Sequence, residues 1–553
     1  MNITSGGHQA EFDRPVTVSE ALQTLLPGEN TPWLGAFKEG RVLELNSVLK
    51  HDAALTPITY AMEEGRRIYE RSLRFVFLLA IRRCFPEARV RIEHSIGQGV
   101  YVELEHMRLT PADVQFIEDE MRDIVRSDLP FHRHRWSRDE AIAYFSRSGD
   151  EDKARLLSYR PYDFFNVYEL DGMYEYFYGA MLPSTGHTRV FRLLPRSPGL
   201  VGLLPDTANP AQPAAYMNAP KHMMTFRQSN YWCKVLGCST VADLNGLIAQ
   251  GGLRDFIRVN EAFHDKSLSE IAQDIMNRNA RAIFIAGPSS SGKTTFANRL
   301  SIHLRVNGLK PMLISMDDFY LDRDKVALDE DGRPDLEALD ALDVKYFKEC
   351  VHQLLDGQVA MMPRFSFRTG KRKPELVPMT IAPNQPLIIE GIHGLNPALH
   401  EGFDRGILCL IYISQLTSLN LDYHNRIRTT DARLLRRIVR DYQFRSTRPE
   451  DTLGMWDSVR RGEERWIFPY QEEADIVFNS ALHYELPILK TISYDILKQV
   501  PKTDPNYIKC SRILKILNYM LPVDLGVLDE IPPLSILREF IGGNTLYMGG
   551  AHT

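Results

Sequence analysis

The stretch GPSSSGKTT, residues 287–295, places two glycines, three serines, a lysine and two threonines between the apolar run AIFIA and the helical sequence TTFANRLSIHL. Gly287, Gly292, Lys293 and Thr294 satisfy G-x-x-x-x-G-K-[ST] in full. Phosphate chemistry dictates each residue type. Glycine lets backbone N–H groups wrap an anion that a side chain would keep out. The helix that follows aims its N-terminal dipole at the same anion. Lys293 reaches the β- and γ-phosphates, and the Thr294 hydroxyl is placed to ligate Mg²⁺. The alternative, a Gly/Ser turn that happens to carry a lysine, leaves the match of strand, loop and helix unexplained.

A triphosphate cradle alone does not separate a kinase from a GTPase or a motor ATPase; the segments downstream do. In SMDDFYLD, Asp317 and Asp318 follow a predicted strand, at the sheet edge where ligands bind in α/β proteins. A carboxylate there can take the proton of an acceptor hydroxyl, as phosphoryl transfer to an alcohol needs; a helix cap is the competing reading. Glu390 ends the apolar strand LIIE, where an acid faces the metal. Residues 425–448 hold eight arginines against two aspartates. Arg433, Arg436, Arg437 and Arg440 fall at helical spacing and share one face. That spacing fits equally a lid over the triphosphate and a solvated or RNA-contacting basic helix.

The elements that position these groups read as alternating strands and helices. Predicted strands are 282–286, 312–316, 387–390, 407–414 and 475–479. Continuous apolar strands between helical stretches imply a parallel sheet covered on both faces. Upstream, RPVTVSEALQTLL reads as a strand and a capped helix, and residues 55–215 as an α+β unit with a long helix over 65–85 and a second opened by Thr110 and Pro111. The Pro- and Ala-rich run 203–222 reads as a linker or extended loop. With 553 residues, several domains are expected.

Composition sets the outer bounds. A net charge of −5 gives no global sign of a nucleic-acid or membrane binder. The longest apolar run, FVFLLAI, is too short to span a bilayer, and the N-terminus lacks a basic start followed by an apolar stretch. The six cysteines form no C-x-x-C pair and read as reduced thiols of a cytoplasmic protein.

GPSSSGKTT, MDDFY, LIIEGI and LRRIVRD, in that order, resemble the uridine kinase family, a branch of P-loop kinases that includes phosphoribulokinases. The resemblance covers about 275–500. It implies a kinase using ATP and Mg²⁺, with Asp317 as general base and Glu390 on the metal side. It implies lid arginines at Arg437, Arg440, Arg445 and Arg448, with the last two also reaching ATP beside the loop residues Ser289, Ser290, Ser291 and Thr295. LEALDALD resembles the family's ribose-gripping segment, which points to Glu337 and Asp340. PRFSFRTGKRK resembles its base-contacting strand, so Phe365 and Phe367, with Tyr320 of the MDDFY motif, are expected at the substrate. Here the sequence departs from the family. Phe365 replaces a tyrosine, Ser366 an aspartate, and Gly370 the histidine with which uridine-cytidine kinases read the base. Phe365 and Phe367 can still stack on a ring, while base discrimination through that histidine is missing.

The first half resembles a TGS domain followed by the second additional domain of threonyl-tRNA synthetase, carried by AIRRCFPEARVRIEHSIGQGVYVELE, LTPADVQFIEDEM and LPSTG. At the four editing positions this sequence has Phe75, Leu79, Phe177 and Met181, none of which offers a useful lone pair. The implied domain keeps its fold without editing chemistry and serves a structural or regulatory role, with RNA contact as the alternative.

The expected organisation is a TGS-like domain over 1–52, a synthetase-like domain over 53–215, connecting helices over 216–274, a P-loop nucleoside kinase domain over 275–500 and a helical tail over 501–553. The expected reaction is transfer of the γ-phosphate of ATP to the 5′-hydroxyl of a ribonucleoside by a homo-oligomer. The rivals are a kinase for another small alcohol or sugar phosphate, and an RNA-binding regulator with a nucleotide switch.

Overall fold

A computed structural model describes residues 1–29, 32–330 and 332–546; the last part of the expected tail, 547–553, lies outside the described residues. The chemistry-bearing segments hang on one five-stranded sheet: β1 (Ala282–Ala286), β2 (Met312–Ser315), β3 (Leu387–Glu390), β4 (Leu408–Ser414) and β5 (Ile476–Asn479). The order across the sheet is β2-β3-β1-β4-β5, and every neighbouring pair is parallel. All five predicted strands form. β1 shows why: each residue of AIFIA is buried, with Ile283 and Ile285 in one hydrophobic cluster and Ala282, Phe284 and Ala286 in another. Alternate side chains feed two cores, which a sheet covered on both faces requires.

Four helices matter to the site. α1 (Leu253–Asn277) leads into β1, α2 (Lys293–Val306) follows the glycine loop, and α3 (Thr429–Phe444) and α4 (Pro449–Trp466) form the arginine-rich hairpin. α3 presents nine buried residues, among them Leu434, Leu435, Ile438 and Val439 and the charged Asp431, Arg433, Arg436 and Asp441, so apolar packing and paired buried charge together fix its orientation.

The N-terminal part begins with small sheets around Thr17, whose hydroxyl accepts from Glu20 N and starts the Val18–Leu25 helix. The long helix spans Glu63–Cys84, and Thr110 with Asp113 forms a capping box on the Pro111–Arg126 helix. These helices cover a four-stranded antiparallel sheet of Val90–Ile96, Gly99–Leu104, Arg192–Arg196 and Gly199–Leu203. Phe75, Leu79, Phe177 and Met181 converge in one cluster, each no more than 3% exposed, and the Phe75 and Phe177 rings meet edge to face at 5.3 Å. Packed rings and aliphatic groups close this cluster. The connection over 204–219 is largely extended, and the helices Pro220–Val235, Val241–Ala249 and α1 then carry the chain to the kinase sheet.

The two halves are joined by buried charge. Arg67 of the long N-terminal helix pairs with Asp431 of α3 at 2.9 Å, and Arg512 of the Tyr507–Leu517 helix reaches the same carboxylate at 3.0 Å. Glu70 accepts from Arg74, Arg426 and Arg428. Lys153 and His424 meet on Glu175, and Tyr178 donates to Asp422 at 2.7 Å. Among the described residues, no helix is long and apolar enough to cross a membrane, and all six cysteines are free thiols.

Candidate active site

The loop after β1 turns sharply enough to point its amides inward. Ser290 and Gly292 both adopt positive φ, 59° and 87°. At Gly292 a Cβ would lie 2.5 Å from Ile536 Cγ2, so conformation and space both require glycine. Lys293 folds back over the loop and donates to Gly287 O at 2.9 Å and Pro288 O at 3.2 Å. The Ser290 and Ser291 hydroxyls are buried without a hydrogen-bond partner. Buried orphan donors beside a helix N-terminus fit phosphate oxygens as their missing acceptors.

Carboxylates surround Lys293. Burial pulls its ammonium pKa down, against the fields of Glu390, Asp317, Glu539 and Glu337. Burial also pushes the Asp317 carboxyl up, countered by Lys293, Arg445 and Arg440. Burial, and after it the like-charged Asp317, push Glu390 up to about 7 against Lys293 and the 2.9 Å hydrogen bond it accepts from Ser315 Oγ. Unneutralised like charges held together this way are what a divalent cation relieves. One hydroxyl, Thr294, and one carboxylate, Glu390, suit Mg²⁺ held chiefly by phosphate oxygens and water. No group of three or more His, Cys, Asp or Glu among the described residues is set to bind a metal by itself.

The two aspartates of MDDFY have different surroundings. Asp318 accepts from Phe365 N at 3.2 Å and pairs with Arg364, which fixes the segment over 364–372 to the sheet edge. Asp317 instead faces Lys293 and the arginines of α3. Tyr320, Phe365 and Phe367 form a ring cluster with centroids 5.2–6.1 Å apart. Glu337 is brought in as well: Arg437, Lys293 and Asp317 act on it, and its Oε2 is buried without a partner. Gly370 stands at φ 68°, and a Cβ there would meet Arg323 Cδ at 2.5 Å; Arg323 is tied in place by its N–H to Gly370 O and its Nη2 to Phe367 O, both at 2.9 Å. The Arg323 stem lies where a side chain at 370 would start.

The arginine face divides in two. Arg433 and Arg436 are no more than 1% exposed and pair with Glu463 and Glu485. They hold the hairpin to the loop and the sheet, so the face is neither a solvated helix nor an RNA patch there. Buried arginines endure only where carboxylates repay their desolvation, a condition set by residues 30 and 49 positions away. Arg437 donates to Ser289 Oγ at 2.8 Å, and Arg440 and Arg445 lie toward Asp317. Arg448 is not brought to the loop: it is exposed and faces Asp451 at 3.4 Å. Asp340 is likewise exposed, in the turn Leu339–Ala341, away from the carboxylates around Lys293.

Three contributors carry no motif. Glu463, fully buried in α4, accepts from Ser289 N at 3.1 Å and from Arg433 and Arg460, so it braces the loop. His393, three residues after Glu390, is 1% exposed with both ring nitrogens unpartnered. Glu539, far along the chain, accepts from the Thr295 hydroxyl at 2.8 Å. An acid inside an otherwise apolar helix face was the one available signal for Glu463; nothing local marks the other two.

A glycine loop between β1 and α2 of a five-stranded parallel sheet, with carboxylates at the tips of β2 and β3 and an arginine hairpin above, defines a P-loop kinase domain. Residues 282–486 match the family model "Phosphoribulokinase / Uridine kinase family". The N-terminal region is similar to threonine–tRNA ligases. That of Paraburkholderia phymatum is 32% identical over 190 residues, covering 34% of this chain and 30% of the relative, and that of Methylobacillus flagellatus is 33% identical over the same length and shares. The chain thus spans about 30% of the length of these curated relatives. Among solved structures, D-glycerate 3-kinase from Cryptococcus neoformans aligns with a TM-score of 0.22 at 16% identity, covering 50% of this chain and 89% of that one.

Proposed function

We propose that this protein transfers the γ-phosphate of ATP, with Mg²⁺, to the 5′-hydroxyl of a ribonucleoside or a close sugar analogue. The observation that carries this reading is Asp317: an acid at a strand tip, in the electrostatic reach of the loop lysine and two lid arginines, while its neighbour Asp318 is spent on structure. The acceptor hydroxyl gives its proton to Asp317 as its oxygen bonds to the γ-phosphorus, and ADP leaves. Lys293, Arg437 and Arg440 steady the charge spread over the moving phosphoryl. Thr294 and Glu390 would hold Mg²⁺, which when bound would supply charge neutralisation for the triphosphate. The ring cluster of Tyr320, Phe365 and Phe367 offers a stacking surface, and Glu337 an acceptor for ribose hydroxyls.

A second reading, a sugar phosphate as acceptor, is favoured by one observation. Position 370 has no base-reading side chain and no room for one, while Arg364, Arg368, Lys371, Arg372 and Lys373 crowd the same strand pair. ADP release measured against a panel of ribonucleosides and ribulose 5-phosphate separates the two. Turnover with a nucleoside supports the first; turnover with ribulose 5-phosphate alone replaces it with the second.

The tight fit at 370 makes its own prediction. Gly370→Ala forces a left-handed non-glycine residue against Arg323, a strain of about 1–2 kcal/mol. The acceptor KM should rise about tenfold while the ATP KM stays within about twofold. A variant whose acceptor KM is unchanged would place this hairpin away from the substrate.

A further inference from the structure

The phosphate cradle already holds an anion, and it is the protein's own. The C-terminal segment runs from Ile531 through the short Arg538–Ile541 helix and lies between the glycine loop and the lid. Glu539 places its carboxylate on the first turn of α2. Its Oε2 accepts from Thr295 N at 3.3 Å and from Thr295 Oγ1 at 2.8 Å, and its Oε1 lies 3.9 Å from Arg440 Nη1. Asn544 Nδ2 adds a 3.4 Å bond to the same Thr295 hydroxyl. An amide and hydroxyl at a helix N-terminus together with a lid arginine are the groups that would receive a nucleotide phosphate. A carboxylate there satisfies them in its place.

The rest of the segment is seated, not draped. Ser535, Ile536, Leu537 and Phe540 are all fully buried. Ile536 packs on Gly292 with no space for a methyl group between them, and Phe540 lies beneath the Arg436 guanidinium at 5.0 Å. Ser535 Oγ donates to Glu261 of α1 at 2.6 Å. The anchor is thus spread over α1, α2 and α3, the elements a closing kinase must move relative to one another.

We infer that residues 531–546 are an autoinhibitory plug: Glu539 occupies part of the nucleotide phosphate cradle, and nucleotide binds only when the segment is released. The inference rests on reading 287–295 as that cradle. A plugged site binds with an apparent affinity reduced by the fraction of open molecules. An effector that lifts the segment, or a binding event on the N-terminal half transmitted through α3, would then switch the kinase on.

The test uses the full chain, with Mg·ADP as probe, in titration calorimetry and amide hydrogen exchange. Glu539→Gln and Glu539→Asp should both bind ADP about tenfold more tightly than the wild type, the factor expected when about a tenth of molecules are open. Glu539→Asp keeps the charge but shortens the arm, so a bystander carboxylate that merely repels phosphate predicts no gain for it. Saturating ADP should also speed exchange over 535–542 in the wild type while slowing it over 287–295. Unchanged exchange over 535–542 on ADP binding, or an Asp variant that binds like the wild type, overturns the plug. Those outcomes leave the kinase reading intact, because that reading is scored by transfer to an acceptor. ADP binding to neither the wild type nor the variants overturns the cradle and the plug together.

Discussion

Asp317→Asn should lower the rate of phosphoryl transfer by about 10²–10⁴-fold, the range that general-base removal costs, with the affinity for Mg·ATP changed by less than about threefold. The substitution is nearly isosteric, and among the described residues no ion pair within contact distance ties Asp317 to the fold; it lies in the fields of Lys293, Arg445 and Arg440. Asp318→Asn provides the contrast. Asp318 holds Arg364 and Phe365 N, so its loss should loosen the acceptor hairpin and raise the acceptor KM without removing the base. Single-turnover measurements at saturating ATP separate the two. Equal losses of kcat in both variants would remove the assignment of distinct roles to adjacent acids.

The second large effect lies far from the phosphates. Glu175→Gln should destabilise the protein by about 3–5 kcal/mol, since it strands Lys153, 1% exposed, without its counter-charge. Lys153→Met combined with Glu175→Gln should recover more than half of that loss, because the paired desolvation cost disappears with both charges. Urea unfolding monitored by intrinsic fluorescence gives the numbers; a single variant as stable as the wild type would show the pair to be dispensable. The same cluster sets a pH dependence. Glu175 is held down to about 2 by Lys153 and His424, so its contribution is complete above the ordinary carboxylate range and is lost only as pH falls through about 2. Asp422 is raised by burial to about 6, and Glu175 raises His424 against its own burial. Groups with raised folded-state pKa values favour the folded state at low pH and lose that contribution as pH rises through the raised value. The contribution of Asp422 and His424 should therefore fall as pH rises, and it is read as the stability difference between the wild type and His424→Gln at each pH, because His222, His393 and His483, lowered by burial to about 4, act in the opposite sense on the whole protein.

This cluster also shows why a synthetase-like region and a kinase domain share one chain. His424 and Asp422 precede α3 by a few residues, and Asp431 within α3 is held by Arg67 and Arg512. The arginine-rich helix α3 is therefore anchored at its start by the N-terminal half and approached toward its C-terminal end by Glu539 through Arg440. The region that carries the apolar cluster of Phe75, Leu79, Phe177 and Met181 is thus tied to α3 by buried ion pairs.

What the sequence disclosed, and what it withheld, follows from range. The glycine loop and the strands of the sheet are local patterns in which the residue type and its neighbours carry the physics, so 282–295 and the positions of Asp317, Asp318 and Glu390 after their strands were legible; the choice of Asp317 over Asp318 as base comes from the family resemblance. That Phe75, Leu79, Phe177 and Met181 would share a packed cluster was legible through the synthetase resemblance and their apolar character. The arginine face could not be resolved: at identical helical spacing Arg433 and Arg436 are buried struts while Arg437 and Arg440 face the loop, and their partners Glu463 and Glu485 lie 30 and 49 residues away. Arg448 and Asp340 were implied by the family resemblance but are exposed to solvent. The contact between Thr295 and Glu539 spans 244 residues and leaves no local trace.

Product identification by ³¹P NMR tests the central claim most directly: purified protein, Mg·ATP and the best acceptor of the panel, run beside Asp317→Asn. A phosphomonoester resonance on the acceptor, growing in step with ADP in the wild type and absent from the variant, is the predicted result. Conversion of ATP to ADP and inorganic phosphate alone, at equal rates in both proteins, would contradict the assignment of Asp317 as the base of an alcohol kinase.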